Sequence, residues 1–268
     1  MLRRAILGLF VLSLFAPAAF AAVGVSIEDN FFTPANITVP AGTMVVWTDN
    51  GNNPHTVTSG TVGAPSGLFD SGTLSAGNKF SFTFTKAGTF QYFCRFHGNI
   101  GMVGSVTVTC STKAQLLKNP GFESGNVSWN ASAPTIINNG TAFPPHTGNW
   151  KAQLNGKGTV NTQSIFQQVA IPADACTVSL SFFLRIATTE TGTVANDTLK
   201  VQILDSTGKV LKNLGTFSNL NKSTNYVKKQ FNVIAFKGKT VRVKFIGMEN
   251  GTLKTTFLVD DVALSITK

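Results

Sequence analysis

The chain has 268 residues, a formal net charge of +10, 43% hydrophobic and 13% charged residues, a size that suits two modest domains or one large β domain. The charge is lopsided: three Lys/Arg stand against four Asp/Glu between Ala22 and Ser111, and seventeen against eight from Thr112 onward. Single lysines along strands read as a solvated face that discourages edge pairing, with acidic glycans or anionic surfaces as the sharper alternative; there is no nucleic-acid motif, and no stretch after the N-terminal one suits a membrane span.

Arg3 and Arg4, the apolar run "AILGLFVLSLFA" and the small residues "AFA" follow one another in the order of an export signal, expected over residues 1–21 with cleavage after Ala21. A retained anchor is the alternative, although the run is short for a bilayer. Export, to the periplasm, cell surface or medium of a bacterial cell, implies an oxidising environment for the three cysteines. Helix-favouring runs are nearly absent, and Thr, Val, Phe, Gly and Asn abound, so an all-β chain is expected.

The runs "VGVSIED", "NITVPAG", "TMVVWTDN", "KFSFTFTKAG", "TFQYFC" and "GSVTVTC" are strand-like and separated by Gly, Pro and Asn turns. Their density predicts a Greek-key β-sandwich over residues 22–111. The loop motif "NNPHTV" carries His55, and "FCRFHGNIGM" carries Cys94, His97 and Met102 in the spacing Cys-x-x-His-x-x-x-x-Met. A thiolate, two imidazoles and a distal thioether suit a trigonal copper with a weak axial Met. Zinc would ask for a fourth strong ligand or an open water position.

These pieces, with the Val-Pro-Ala-Gly turn at 39–42 and the stretch from "LFDSGTLSAGNKF" to "GSVTV", resemble the cupredoxins, particularly their plastocyanin-like branch. The resemblance implies a type-1 copper site held by His55, Cys94, His97 and Met102, and a single-electron carrier instead of an enzyme. Three histidines leave none for the His-rich cluster of a multicopper oxidase, and cleavage before Ala22 leaves no N-terminal His for a copper monooxygenase. Thr56 replaces the Asn common after the first His; its N–H is expected to reach the Cys sulfur and its hydroxyl to tie the two ligand loops. There is no acidic cluster, so a redox protein partner is expected to dock transiently at the apolar copper-facing end, on Pro54, Phe96, Gly98 and Ile100.

From "LLKNPGFESGNVSW" to "TTFLVDDVALSI" the chain changes character, and residues 112–268 are expected to form a jelly-roll β-sandwich. These segments resemble galactose-binding-like, carbohydrate-binding-module-type jelly rolls, which implies attachment to a glycan, the cell envelope or a partner. The resemblance implies a structural calcium on Glu123 and Asp260, or else two turn carboxylates accepting backbone N–H bonds; Glu190 and Asp197 form a weaker second pair. Trp129 and Trp150 are sugar-stacking candidates more in keeping with core positions, and His146 reads as structural. With Cys94 assigned to copper, Cys110 and Cys176 are expected to pair and to fasten the two domains together. The alternatives are a non-redox copper-binding protein, or a surface-assembly protein in which the jelly roll is the working module.

Overall fold

The computed structural model describes residues 21–268; the export signal expected over residues 1–21 therefore lies, but for Ala21, outside the described residues. The chain divides into two compact units, parted between Thr109 and Cys110. The expected boundary after Ser111 is corrected by two residues. The amides of Ser111 and Thr112 already donate to the Lys268 carbonyl, at 3.2 and 2.9 Å, so they belong to the second unit.

Among the described residues the first unit holds nine strands: β1 (Val23–Glu28), β2 (Phe31–Thr33), β3 (Asn36–Pro40), β4 (Thr43–Asp49), β5 (Thr58–Thr61), β6 (Ala64–Asp70), β7 (Lys79–Phe84), β8 (Gly88–Phe93) and β9 (Val103–Thr109). One sheet runs β2-β1-β4-β7 and the other β3-β9-β8-β5-β6. The pairs β1–β4 and β3–β9 are parallel, and the remaining ladders are antiparallel. In β9, "VGSVTVT", Val106 and Val108 point inward while Thr107 and Thr109 face outward, the period-two pattern of a half-buried strand. Trp47 of β4 centres the core, with the rings of Phe69, Phe80, Phe84 and Tyr92 between 5.4 and 6.4 Å away. Tyr92 donates its hydroxyl to the Ala35 carbonyl at 3.0 Å. Its ring lies over Gly104, where any Cβ would stand within 2.5 Å of both the ring and that carbonyl.

The second unit holds β10 (Lys113–Gln115), β11 (Asn130–Ala131), β12 (Ile137–Asn138), β13 (Lys151–Asn155), β14 (Asn161–Ala170), β15 (Thr177–Thr188), β16 (Thr198–Asp205), β17 (Val210–Ser218), β18 (Val227–Asn232), β19 (Thr240–Glu249) and β20 (Thr255–Thr267). Sheet β12-β13-β20-β15-β18, with β10 also on β20, packs against sheet β11-β14-β19-β16-β17 in a jelly-roll sandwich. In β19 every second residue from Val241 to Glu249 is buried, whereas the central strand β20 opens with six buried residues in a row, Thr255 to Asp260. Phe182 of β15 meets Phe245 of β19 edge to face at 4.9 Å, joining the inner faces of the two sheets. Among the described residues no helix is long and apolar enough to cross a membrane.

Candidate metal centre

Two loops at one end of the first unit carry the candidate ligands. The antiparallel ladder of β8 and β9 brings Phe93 opposite Val103, so the intervening loop must turn back tightly. It closes through Cys94 N–H to the Met102 carbonyl at 3.1 Å and Met102 N–H to the His97 carbonyl at 3.2 Å. A short 3-10 turn, Gly98–Ile100, lies between, and Gly101 ends it at φ 99°, a left-handed conformation that favours glycine. The other loop fixes His55 through a two-way backbone bridge to Leu74, at 3.1 and 2.8 Å.

Cys94, Met102 and His55 are fully buried and His97 is half-buried. Cys94 Sγ lies 3.7 Å from His97 Nδ1 and accepts the Thr56 N–H at 3.4 Å. The Thr56 hydroxyl accepts the Arg95 N–H at 2.9 Å, so one residue links both ligand loops. The rings of His55 and His97 stand 5.2 Å apart. Such a set, one thiol, two imidazoles and a buried thioether, fits a soft transition metal better than calcium or magnesium.

His55 is oriented by a residue that sequence reasoning missed. Its Nδ1 lies 3.0 and 3.1 Å from the two oxygens of Asp49, a fully buried carboxylate that also accepts the Gly51 N–H at 3.1 Å. Nε2 is left buried without a hydrogen-bond partner, 4.0 Å from an Asp29 oxygen. An unpartnered buried nitrogen on a ring whose other nitrogen is held by a carboxylate is how imidazole ligands are commonly prepared for a metal. Among the described residues, no three His, Cys, Asp or Glu side chains close on a common point; Cys94 pairs with His97, while His55 is turned to Asp49. Asp49 ends a strand, where a polar residue reads as a turn, and only its place six residues before His55 marks it. Asp49→Asn is expected to weaken copper binding about 10- to 100-fold with little change in fold, measured by titration against a copper chelator.

Around this end, Phe96 and Ile100 are 55% and 69% exposed and Pro54 is exposed, an apolar rim beside His97. Gly98 is a correction to the expected docking patch. It is buried, and a Cβ there would meet Val62 at 3.0 Å. Val62, 40% exposed, takes its place on the rim.

In the second unit, the expected calcium pair is satisfied by nitrogen donors instead. Glu123 accepts the N–H groups of Asn149 and Trp150 at 3.0 Å. Asp260 accepts those of His146, Thr147 and Asp261, at 2.7, 3.3 and 2.7 Å. The loop thus turns backbone N–H donors toward these carboxylates, the turn-carboxylate alternative to a calcium pair. The ammonium of buried Lys151, bonded to Asn138 and the Gly140 carbonyl at 3.0 and 2.6 Å, adds a favourable charge near Asp260. Burial still pushes the Asp260 carboxyl up to about 6 from its ordinary 3.8. A raised folded-state value favours the protonated form, so this group's contribution is greatest below about pH 4 and is lost as pH rises through 6. The thermal midpoint of the second unit is therefore expected to fall between those values, and Asp260→Asn to flatten that slope in calorimetric scans.

Trp129 is 5% exposed and donates its indole N–H to Asn119 at 3.0 Å, and Trp150 packs on the core, so neither offers a sugar platform. Cys110 and Cys176 form a disulfide. Both lie in the second unit, so the bond closes a loop within it and does not fasten one unit to the other.

The family described as copper binding proteins, plastocyanin/azurin family, matches residues 20–109. Plastocyanin of Sambucus nigra is 36% identical over 86 residues, which span 29% of this chain and 86% of that one. The chain belongs to the plastocyanin/azurin family. Its first unit is thus a copper-binding, electron-transfer domain of that family. It is also similar to the novel purple cupredoxin from Nitrosopumilus maritimus, at 33% identity, covering 32% of this chain and 99% of that one, TM-score 0.31. TmCBM61 in complex with beta-1,4-galactotriose is 15% identical and covers 56% of this chain and 97% of that one, TM-score 0.43.

Proposed function

We propose that this is an exported type-1 copper protein, a carrier of single electrons and not an enzyme, with copper held by His55, Cys94, His97 and Met102. The carrying observation is the buried Cys94 sulfur, 3.7 Å from His97 Nδ1, with the Thr56 N–H aimed at it from the other ligand loop. When bound, copper supplies a one-electron couple. The chain's part is to keep the donors where both oxidation states are tolerated. Thr56 stabilises negative charge on the sulfur, and its hydroxyl fixes the spacing of the loops. Phe93 and Leu74, both buried, keep water from the site, which strengthens every interaction there.

His97 is the half-buried ligand, and its ring edge meets Phe96 at 6.3 Å. A redox protein docking transiently on Pro54, Phe96, Ile100 and Val62 would approach the centre through that ring. The disulfide supports the exported setting, since such bonds persist in oxidising compartments. The second unit attaches the carrier to a glycan, cell-envelope or partner surface; the excess of lysines there favours an acidic one.

Adding Cu(II) to the purified chain tests the reading. An intense visible thiolate-to-copper band with narrow copper hyperfine splitting in EPR is expected, and complete loss of that band in Cys94→Ser. A pale spectrum that the substitution leaves unchanged would overturn it.

A further inference from the structure

At one end of the second unit two carboxylates are buried without any cation to compensate them. Glu190 ends the turn out of β15 and Asp197 leads into β16; residues 191–196 between them are exposed, yet the two carboxylates are 6% and 0% exposed. Asp197 Oδ1 accepts the Asn250 N–H at 2.8 Å, while its Oδ2 is buried with no hydrogen-bond partner at all. Glu190 Oε2 accepts the side-chain amides of Asn196 and Asn219 at 2.8 and 3.4 Å, and Oε1 has only the Thr252 hydroxyl at 3.4 Å.

The same few residues hold both groups together. Asn219, 2% exposed, donates to Glu190 and accepts the N–H groups of Asn196 and Asp197 at 3.0 and 3.3 Å. Asn250 and Thr252, joined by a 2.9 Å hydrogen bond, reach Asp197 and Glu190 respectively. Among the described residues no Lys, Arg or His nitrogen forms an ion pair with either carboxylate. Nearby Glu249, 3% exposed, shows what full compensation looks like here: it accepts the N–H groups of Lys157, Gly158 and Thr255 and the Asn161 amide. Burying a carboxylate oxygen with neither donor nor cation is strongly unfavourable.

We infer that Glu190 and Asp197 bind a hard divalent cation of the calcium class, with the Asp197 Oδ2 and Glu190 Oε1 oxygens as its ligands. The neighbouring donors are all oxygen or amide, without thiol or imidazole, which disfavours zinc and copper. The exposed loop 191–196 can supply the further carbonyl and water oxygens of calcium's large shell. The ion would clamp loop 190–197 to the 250–252 turn. This site is separate from the copper centre and from Glu123 and Asp260, whose oxygens are already occupied by backbone N–H groups.

The test uses the full chain, freed of metal with EDTA and titrated with calcium chloride by calorimetry and by hydrogen exchange. Saturable one-to-one binding is expected, with exchange slowed about tenfold or more over residues 189–197 and 250–254. Asp197→Asn and Glu190→Gln should each lower calcium affinity about tenfold or more, while Glu123→Gln should bind as the parent does. Absence of saturable binding, slowing confined to other segments, or loss of binding in Glu123→Gln alone would overturn the assignment. The exchange map of the unsubstituted chain decides the matter even if a variant fails to fold.

Discussion

Trp47→Ala is expected to destabilise the first unit by about 4 kcal/mol, most of the stability of a marginal domain. The indole is fully buried and is surrounded by Phe69, Phe80, Phe84 and Tyr92, which come from both sheets. Removing it opens a cavity at the one place where these aromatic rings share a neighbour, and large rigid rings collapse poorly into a void. The effect should reach the metal centre, because β4 carries Trp47 and Asp49 on the same inward face and Asp49 orients His55. Guanidinium unfolding followed by hydrogen exchange in β4, β7 and β8 would measure it. A loss below about 1 kcal/mol would mean that the cluster repacks around the gap and that the sandwich does not depend on its central ring. Copper should recover part of the lost stability, since it binds only the folded ligand loops.

The sequence discloses periodicity and spacing well, and direction poorly. Alternation in "GSVTVTC" and "TVRVKFIGMEN" places the buried face residue by residue, because a strand has only two faces to choose between. The spacing of Cys94, His97 and Met102 was legible because one tight loop holds all three, so their proximity is local. What stayed hidden depends on partners far along the chain. Asp49 gives no sign that its carboxylate will face an imidazole ring. Glu123 and Asp260 carry the ligand chemistry of calcium, and the backbone N–H groups they accept come from loop 146–150, up to 114 residues before Asp260. Gly98 lies in an exposed-looking loop but is covered by Val62 from the turn between β5 and β6. Cys110 follows the last strand of the first unit, yet its neighbours are bonded to the C-terminal residue, Lys268.

That last placement gives the disulfide its expected effect. Cys110 and Cys176 are 66 residues apart, and loop closure of that length constrains the unfolded chain by about 4 kcal/mol at 25 °C. Replacing both cysteines by serine is therefore expected to destabilise the second unit by that order while leaving the first unit and its copper spectrum unchanged. The loss should start locally. Beyond the disulfide, the start of the unit is held by the three-residue ladder of β10 on β20 and by the Lys268 contacts, so residues 110–116 should lose exchange protection before the central strands β15 and β20 do. Reduction of the parent chain should reproduce the effect, with Cys94 replaced by serine to prevent exchange between thiols. If the double substitution also lowered the first unit's unfolding midpoint, the cysteines would be stabilising the chain on both sides of Thr109. A loss confined to the second unit fits the bond's two ends lying in one sandwich, where it joins the first residue of the unit to the start of β15.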